Sequence, residues 1–512
     1  MTLFTATLQP GRGLGFLVLG ASLHDVLTRL KAEPQRFPKL DILYSPDRPV
    51  TETVAVHLPQ NGIRLRFDGP EQRLRLVEVI DFSKSHITFK DRDLVRPANG
   101  AAANEAPMPG ESSAGPSFRH IYHRLLGPTY AGEFVPGSGQ SHTGIYVLSY
   151  PGVAFNFSIP APSYSPDKDV VSLLDPSGHP QIATSMAIFS GDSWADARPT
   201  LWTEVLPSVR LNTILPRTKD VHPDEVSLVR LHGGGKIQLF RKWTNQNMML
   251  TLGETTAQEL VSELGPPSAI YRKHDQKMVV HKLRTTSNTW SRPSAGSLRP
   301  DDLTDTDHSS MNTGSDDSDD EAAVEDAIAN PSGECFYNYF YLGFDVLLST
   351  PVSPSPAPPG EVADAAAPQA EIKNHQPDRL VATKLVLHGN VPGSYEFNRH
   401  RRCRWDIPYL NDTGDGSPAT SESVFADLED RMQQKWGGQH HRSDAQPRQR
   451  GMVLNRGWGD SPGSSVEFLG GWEESGGRRA ETNGDSTTTL YGFPGMVFEV
   501  LKNGYVNTVT VF

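Results

Sequence analysis

Cysteine is nearly absent: Cys335 and Cys403 are the two in a chain of 512 residues. So few thiols exclude a disulfide scaffold and point to a reducing compartment, with both side chains read as ordinary core residues. Basic charge is not in excess either, since the formal net charge is -12. Eleven acidic residues and no lysine or arginine fall between 301 and 326; without that stretch the charge is -1. A nearly neutral remainder excludes a dedicated nucleic-acid binder. Long apolar runs are missing as well. The opening MTLFTATLQPGRGLGFLVLG lacks the charged start and continuous apolar core of a signal peptide. The run LGFLVLGASL is broken by His24 and Asp25, far short of the ~20 residues a membrane span needs. The expectation is a soluble, cytoplasmic protein that reaches membranes only peripherally.

Catalytic phrases are missing too. There is no nucleophile elbow, P-loop, dinucleotide loop or zinc spacing. HGGGK, at 232–236, lacks the second half of a P-loop and lies between SLVRL and IQLF, so it reads as a hairpin turn. The pair His440 and His441 has no cysteine nearby to build a metal site. Asp68 and Asp81 follow strand candidates without a second acid or histidine at a useful spacing. The expectation is no enzyme, no cofactor, no metal and no small-molecule substrate.

What the sequence does contain is one phrase written four times: NGIRLRF at 61–67, PGVAFNF at 151–157, LGFDVLL at 342–348 and PGMVFEV at 494–500. Each has a glycine followed by apolar residues at alternate positions. That period of two marks a half-buried strand. A further strand candidate follows each phrase, after the short turns DGPEQR and KNG in the first and last copies. A helix candidate precedes each. Leu23, Val26, Leu27 and Leu30 share one face, with Ser22 as N-cap. Thr256 and Glu259 form a capping box that Gly265 and Pro266 close. SFRHIYHRLLGPTY precedes the second phrase. Val424, Phe425, Leu428 and Met432 line a face before Gly437.

The fold class read from this is α+β: repeated units of a helix plus an antiparallel β-hairpin or meander, packed together and separated by long disordered insertions. The boundaries place a first unit at 1–96, an Ala/Pro/Ser-rich loop at 97–117 and a second unit with additional strands at 118–250. A third unit combines 251–283 with 333–410, interrupted by the acidic insertion 284–332 and the Pro/Ala-rich insertion 351–378. A short polar loop lies at 411–419, and a fourth unit spans 420–512 around an insertion at 437–489.

Three stretches carry candidate contacts. In the acidic insertion, Ser315 and Ser318 precede acidic residues, as an acid-directed kinase prefers, although the segment also suits a solvated spacer. NRHRRCRW, at 398–405, sets Arg399, Arg401, Arg402 and Arg404 around Cys403. It reads as a grip for a lipid headgroup or acidic partner, as a device lowering the thiol pKa, or as an exposed basic edge strand. FYNYFY, at 336–341, reads as a partner surface or as alternating core and surface residues of one strand.

Together LGASLHDVLTRL, the long stretch from LDILYSPDRPV to LVEVIDFSK, GPPSAIYRKHDQKM, CFYNYFYLGFDVLLST, LVLHGNVPGSYEFNRHRRCRWDIP and GFPGMVFEV resemble the phagosome assembly factor 1 family. They span the chain in order and skip the insertions. The resemblance implies a non-enzymatic regulator of autophagy. It also implies a WD-repeat β-propeller partner and recruitment to the phagophore assembly site, where phosphatidylinositol 3-phosphate marks the membrane. It brings no catalytic or ligand residues. The alternative left open is a direct phosphoinositide-binding or lipid-carrying module.

Overall fold

The glycine that opens each repeated phrase has a positive φ: 65° at Gly62, 76° at Gly152, 87° at Gly343 and 75° at Gly495. A side chain at such a turn would collide with its own backbone, so the phrase needs glycine there. The computed structural model describes residues 3–95, 111–112, 115–137, 143–175, 181–206, 224–244, 246–272, 333–350, 379–411, 418–436, 450–455 and 487–512. They are mostly β with some helices. Two units emerge: Met1–Leu250 with Phe340–Phe344 and Val386–Val511, and Thr251–Tyr339 with Asp345–Leu385 and Phe512.

Every glycine turn leads into the third strand of a four-stranded meander. The first meander is Asp41–Leu43, Val54–Leu58, Ile63–Phe67 and Leu74–Val79, paired antiparallel in order. The second is Glu133–Val135, Thr143–Tyr150, Val153–Pro160 and Ala183–Ile188. The third runs in the same order through Ala269–Arg272, Cys335–Tyr339, Phe344–Ser349 and Val381–His388. The fourth is Met452–Asn455, Thr487–Phe493, Met496–Val500 and Val506–Val511. The equivalence reaches single hydrogen bonds. The turn glycine's carbonyl accepts from the end of the fourth strand or the residue after it: Ile80 N to Gly62 O at 2.8 Å, Phe189 N to Gly152 O at 3.2 Å and His388 N to Gly343 O at 2.9 Å.

The helices follow their caps. Helix α1, Leu23–Ala32, starts at Ser22, whose Oγ accepts from Asp25 N, and it buries Leu23, Val26, Leu27 and Leu30 completely. Helices α2, Val170–Leu174, and α3, Trp194–Thr200, are capped by Asp169 and Ser193. Helix α4, Ala257–Leu264, carries the full Thr256–Glu259 capping box and ends on Gly265 at φ 79°. Helix α5, Phe425–Trp436, buries Phe425, Leu428 and Met432, while Val424 precedes it. SFRHIYHRLLGPTY departs from an α-helix: His120–Leu125 forms one π-helical turn, with Leu126 N bonded to Ile121 O.

The first two meanders join where Leu74–Val79 pairs antiparallel with Ala183–Ile188, giving one eight-stranded sheet. One face packs on α1 and on a small mixed sheet in which Phe4–Gln9 lies parallel to Ser85–Phe89. Phe67, Phe155 and Phe157 are fully buried there, each contributing about 1.5–3 kcal/mol by removal from water. Helix α3 covers Leu76, Val147, Ala154 and Ala187 on the opposite face. Backbones meet where Gly11 N donates to Gly152 O at 3.0 Å. A further hairpin, Val226–Gly233 with Lys236–Arg241, turns through HGGGK as expected, and Trp405–Asp406 lies parallel beside it.

Two expectations of unpaired loop are corrected. Met452–Asn455 is a strand inside the insertion read at 437–489, because its apolar residues continue the meander. Glu111–Ser112 pairs with Gly115–Pro116 inside the loop read at 97–117. Insertions 284–332 and 351–378 lie outside the described residues, and Ser315 and Ser318 lie there with them. Among the described residues no helix is long and apolar enough to cross a membrane.

Candidate functional site

The segment carrying NRHRRCRW is fixed by two asparagines in the left-handed region, Asn390 at φ 46° and Asn398 at φ 65°. Asparagine tolerates that conformation because its short amide bonds to nearby backbone. Here Asn390 Oδ1 accepts from Asn398 N at 2.6 Å. The same Asn390 exchanges two 2.8 Å hydrogen bonds with Gln72, in the turn DGPEQR of the first meander. Beyond it the chain is extended: Arg401 N donates to Phe340 O, Cys403 N to His388 O and Val229 N to Arg404 O.

That backbone points the arginines inward. Arg401, 5% exposed, pairs with Asp25 of α1 and, at 2.9 Å, with Glu225. Glu225 is shared with Arg73 at 2.7 Å. Arg402, 6% exposed, donates to the carbonyls of Pro70, Gly389 and Ser421 and reaches Glu422 at 3.4 Å. Arg404 bonds Glu422 at 2.8 Å and reaches Glu71 at 3.5 Å, which also holds Lys242 at 2.9 Å. Arg75 and Asp68 close a neighbouring pair at 2.6 Å. Arg399, 50% exposed, faces Glu396 at 3.9 Å.

The electrostatics are those of a saturated network. Burial works against the charge of Glu225, but Arg401 and Arg73 outweigh it and hold the carboxyl down to about 2. Burial opposes ionisation of Glu422 and Glu71 also; Arg402 with Arg404, and Lys242, hold them below the usual carboxylate range. Burial likewise opposes the Arg401 charge, and Asp25 and Glu225 raise it. His24, whose Nδ1 donates to Asn398 O at 3.1 Å, is held below the usual imidazole range by burial. None of these shifts moves a carboxylate toward neutrality, as a general acid at neutral pH requires. The arrangement can brace the fold; it does not poise a proton.

The readings of this stretch are corrected accordingly. A headgroup grip and an exposed basic edge both need side chains in solvent, yet Arg401 and Arg402 are buried, Arg404 is half-buried and Arg399 alone is exposed. The arginines do not activate the thiol: burial pushes Cys403 up to about 12, and Arg402 offsets only part of that. In FYNYFY, Cys335 just before it, Asn338 and Tyr339 are buried, while Phe336 and Tyr337 are half-buried beside exposed Tyr271 and Ile270. The carboxylates of the network were not foreseen. Asp25 reads in the sequence as a break in an apolar run and as the residue three beyond the Ser22 cap, and it meets Arg401 across 376 positions.

A sequence model described as phagosome assembly factor 1 (PHAF1) matches residues 13–295 and 374–512. The chain belongs to the PHAF1 family. A PHAF1 protein of Arabidopsis thaliana is 23% identical over 510 residues, covering 99% of this chain and 92% of the relative. One of Drosophila melanogaster is 20% identical, covering 97% and 90%. One of Caenorhabditis elegans is 21% identical, covering 77% and 74%. No solved structure matches. All residues of the charge network fall inside the ranges that the PHAF1 model matches.

Proposed function

We propose that this PHAF1 protein is a non-enzymatic scaffold subunit of autophagy that works with a WD-repeat β-propeller protein at the autophagosome formation site. The observation that carries the reading is the state of its charges. Asp25, Glu71, Glu225 and Glu422 are each engaged by arginine or lysine inside the fold, and a site for acid-base chemistry needs such groups free to change protonation. PHAF1 is not known as an enzyme family. Meanders with outer strands suit association instead, because an unpaired strand edge offers backbone donors and acceptors to another chain. Arrival at the phagophore then follows the partner rather than a lipid contact through Arg401 and Arg402.

Affinity capture of the tagged full-length chain from starved cells, under gentle lysis, tests this. Stoichiometric recovery of a WD-repeat protein supports the reading. Recovery of no stable partner, or turnover of a small molecule by the purified chain, removes it.

A further inference from the structure

We propose that Ser45 and Ser165 are acceptor sites for a serine/threonine kinase that requires proline just after the acceptor and a base three residues on. This goes beyond the scaffold reading and does not depend on it.

The sequence holds seven serine–proline or threonine–proline pairs. Two of them, Ser45 with Pro46 and Ser165 with Pro166, carry a base at the third position after the acceptor: Arg48 and Lys168. At the other five that position is serine, threonine or proline. The same two share a longer phrase, YSPD, at 44–47 and 164–167. A kinase of this class reads the proline with an apolar pocket that offers no acceptor for a backbone N–H, and the base with acidic groups.

The fold presents both copies alike. Residues 44–48 and 164–168 lie outside helices and strands. Each tyrosine is an anchor. Tyr44 and Tyr164 pack against the large apolar core on one face of the eight-stranded sheet, and Tyr164 stacks on Phe134 with ring centres 4.2 Å apart. Beyond the anchor the chain turns outward. Ser45 and Ser165 are half-buried; Pro46, Asp47 and Arg48 are exposed, and so are Pro166, Asp167 and Lys168. A loop anchored at one end and solvated beyond it can detach into the extended form that a kinase cleft takes, without opening the core.

The two copies differ in what must be released. Around Ser165 the bonds are local: Lys168 N donates to Ser165 O at 3.1 Å and Lys168 Nζ to Ser163 O at 3.0 Å. Around Ser45 they are distant. Pro46 O accepts from Asn503 Nδ2 at 3.0 Å, in the last turn of the fourth meander. Tyr44 Oη lies so close to Gly393 that a Cβ there would collide with it, and Val50 is buried with Val391 and Tyr505. Ser45 is therefore the slower acceptor. Its phosphate adds about −1.5 to −2 of charge where the first meander meets the fourth. In the reaction the serine Oγ bonds to the γ-phosphorus of ATP as the bond from that phosphorus to its bridging oxygen breaks; ADP leaves, and the serine proton passes to the kinase's catalytic aspartate.

The test incubates the full-length chain with ATP, magnesium and a cyclin-dependent kinase with its cyclin, and maps phosphoserine over time by mass spectrometry. Both serines should be phosphorylated in the native protein, Ser165 ahead of Ser45 by about fivefold, the worth of about one net hydrogen bond. Lys168→Ala should slow Ser165 by about tenfold, and Arg48→Ala should do the same at Ser45, each leaving the other site and the urea midpoint unchanged. Asn503→Ala frees Pro46 O and should speed Ser45 alone. Absence of phosphate from either serine, phosphate on them only after urea unfolding, or Ser45 ahead of Ser165 overturns the proposal. Wild-type rates in the Arg48 and Lys168 variants also overturn it.

Discussion

Replacing Arg401 by alanine breaks a buried ion pair of the network. Arg401 is 5% exposed, and its guanidinium spans Asp25 and Glu225. Without it Glu225 keeps Arg73 at 2.7 Å, whereas Asp25, 8% exposed, is left as a buried carboxylate without its cation. Breaking a buried pair from one side costs about 3–5 kcal/mol, a large share of the roughly 5–15 kcal/mol that holds a domain folded. Urea unfolding should show that loss as a lower midpoint. Adding Asp25→Ala removes the stranded charge, so the double variant should recover part of the loss, with a coupling of about 1–3 kcal/mol in the cycle. A loss below about 1 kcal/mol, the scale of a surface pair, with no coupling to Asp25, would refute the reasoning.

Gly152→Ala should cost about 2–5 kcal/mol through its left-handed turn and crowding; its Cβ would lie 1.9 Å from Gly11 N. Gly127→Ala, at φ 91° with nothing within 4 Å, should cost only the ~1–2 kcal/mol of the conformation; equal urea midpoints would contradict the close approach. Acid should destabilise the protein in two stages. His24 is held below 6.5 in the fold, so the unfolded chain takes up the proton first and stability declines as pH falls below that value. Glu225, at about 2 against an ordinary 4.5, contributes stability that is present above 4.5 and lost as pH falls toward 2. Glu225→Gln should flatten the lower stage, and urea midpoints that stay level from pH 7 to 3 would exclude both groups. Cys403, pushed up to about 12 by burial, should react with Ellman's reagent at pH 8 only after unfolding; rapid reaction in the native protein would contradict its burial.

The repeat was legible because it is local. A glycine turn followed by alternating residues sets strand, register and buried face within about seven positions. The Ser22 and Thr256 caps were readable for the same reason, since a cap reaches three residues ahead. The arginine stretch was visible but its direction was not. NRHRRCRW looks like surface because its partners are far away in sequence: Asp25 across 376 positions, Pro70 across 332 and Glu71 across 333. Only the folded backbone, turned by Asn390 and Asn398, brings them together. The π-helical turn at His120–Leu125 was missed because its apolar spacing matches an ordinary helix over so short a span. The strand Met452–Asn455 was hidden among glycine, serine and arginine that dominate the surrounding composition.

Hydrogen exchange of the full-length chain, alone and with vesicles containing phosphatidylinositol 3-phosphate, bears most directly on the claim that the arginine stretch braces a scaffold from within. The amides of Arg401 and Cys403, bonded to Phe340 O and His388 O, should exchange only through global unfolding, at rates the vesicles do not change. Fast exchange in the free protein, or protection that appears only with the lipid, would contradict it.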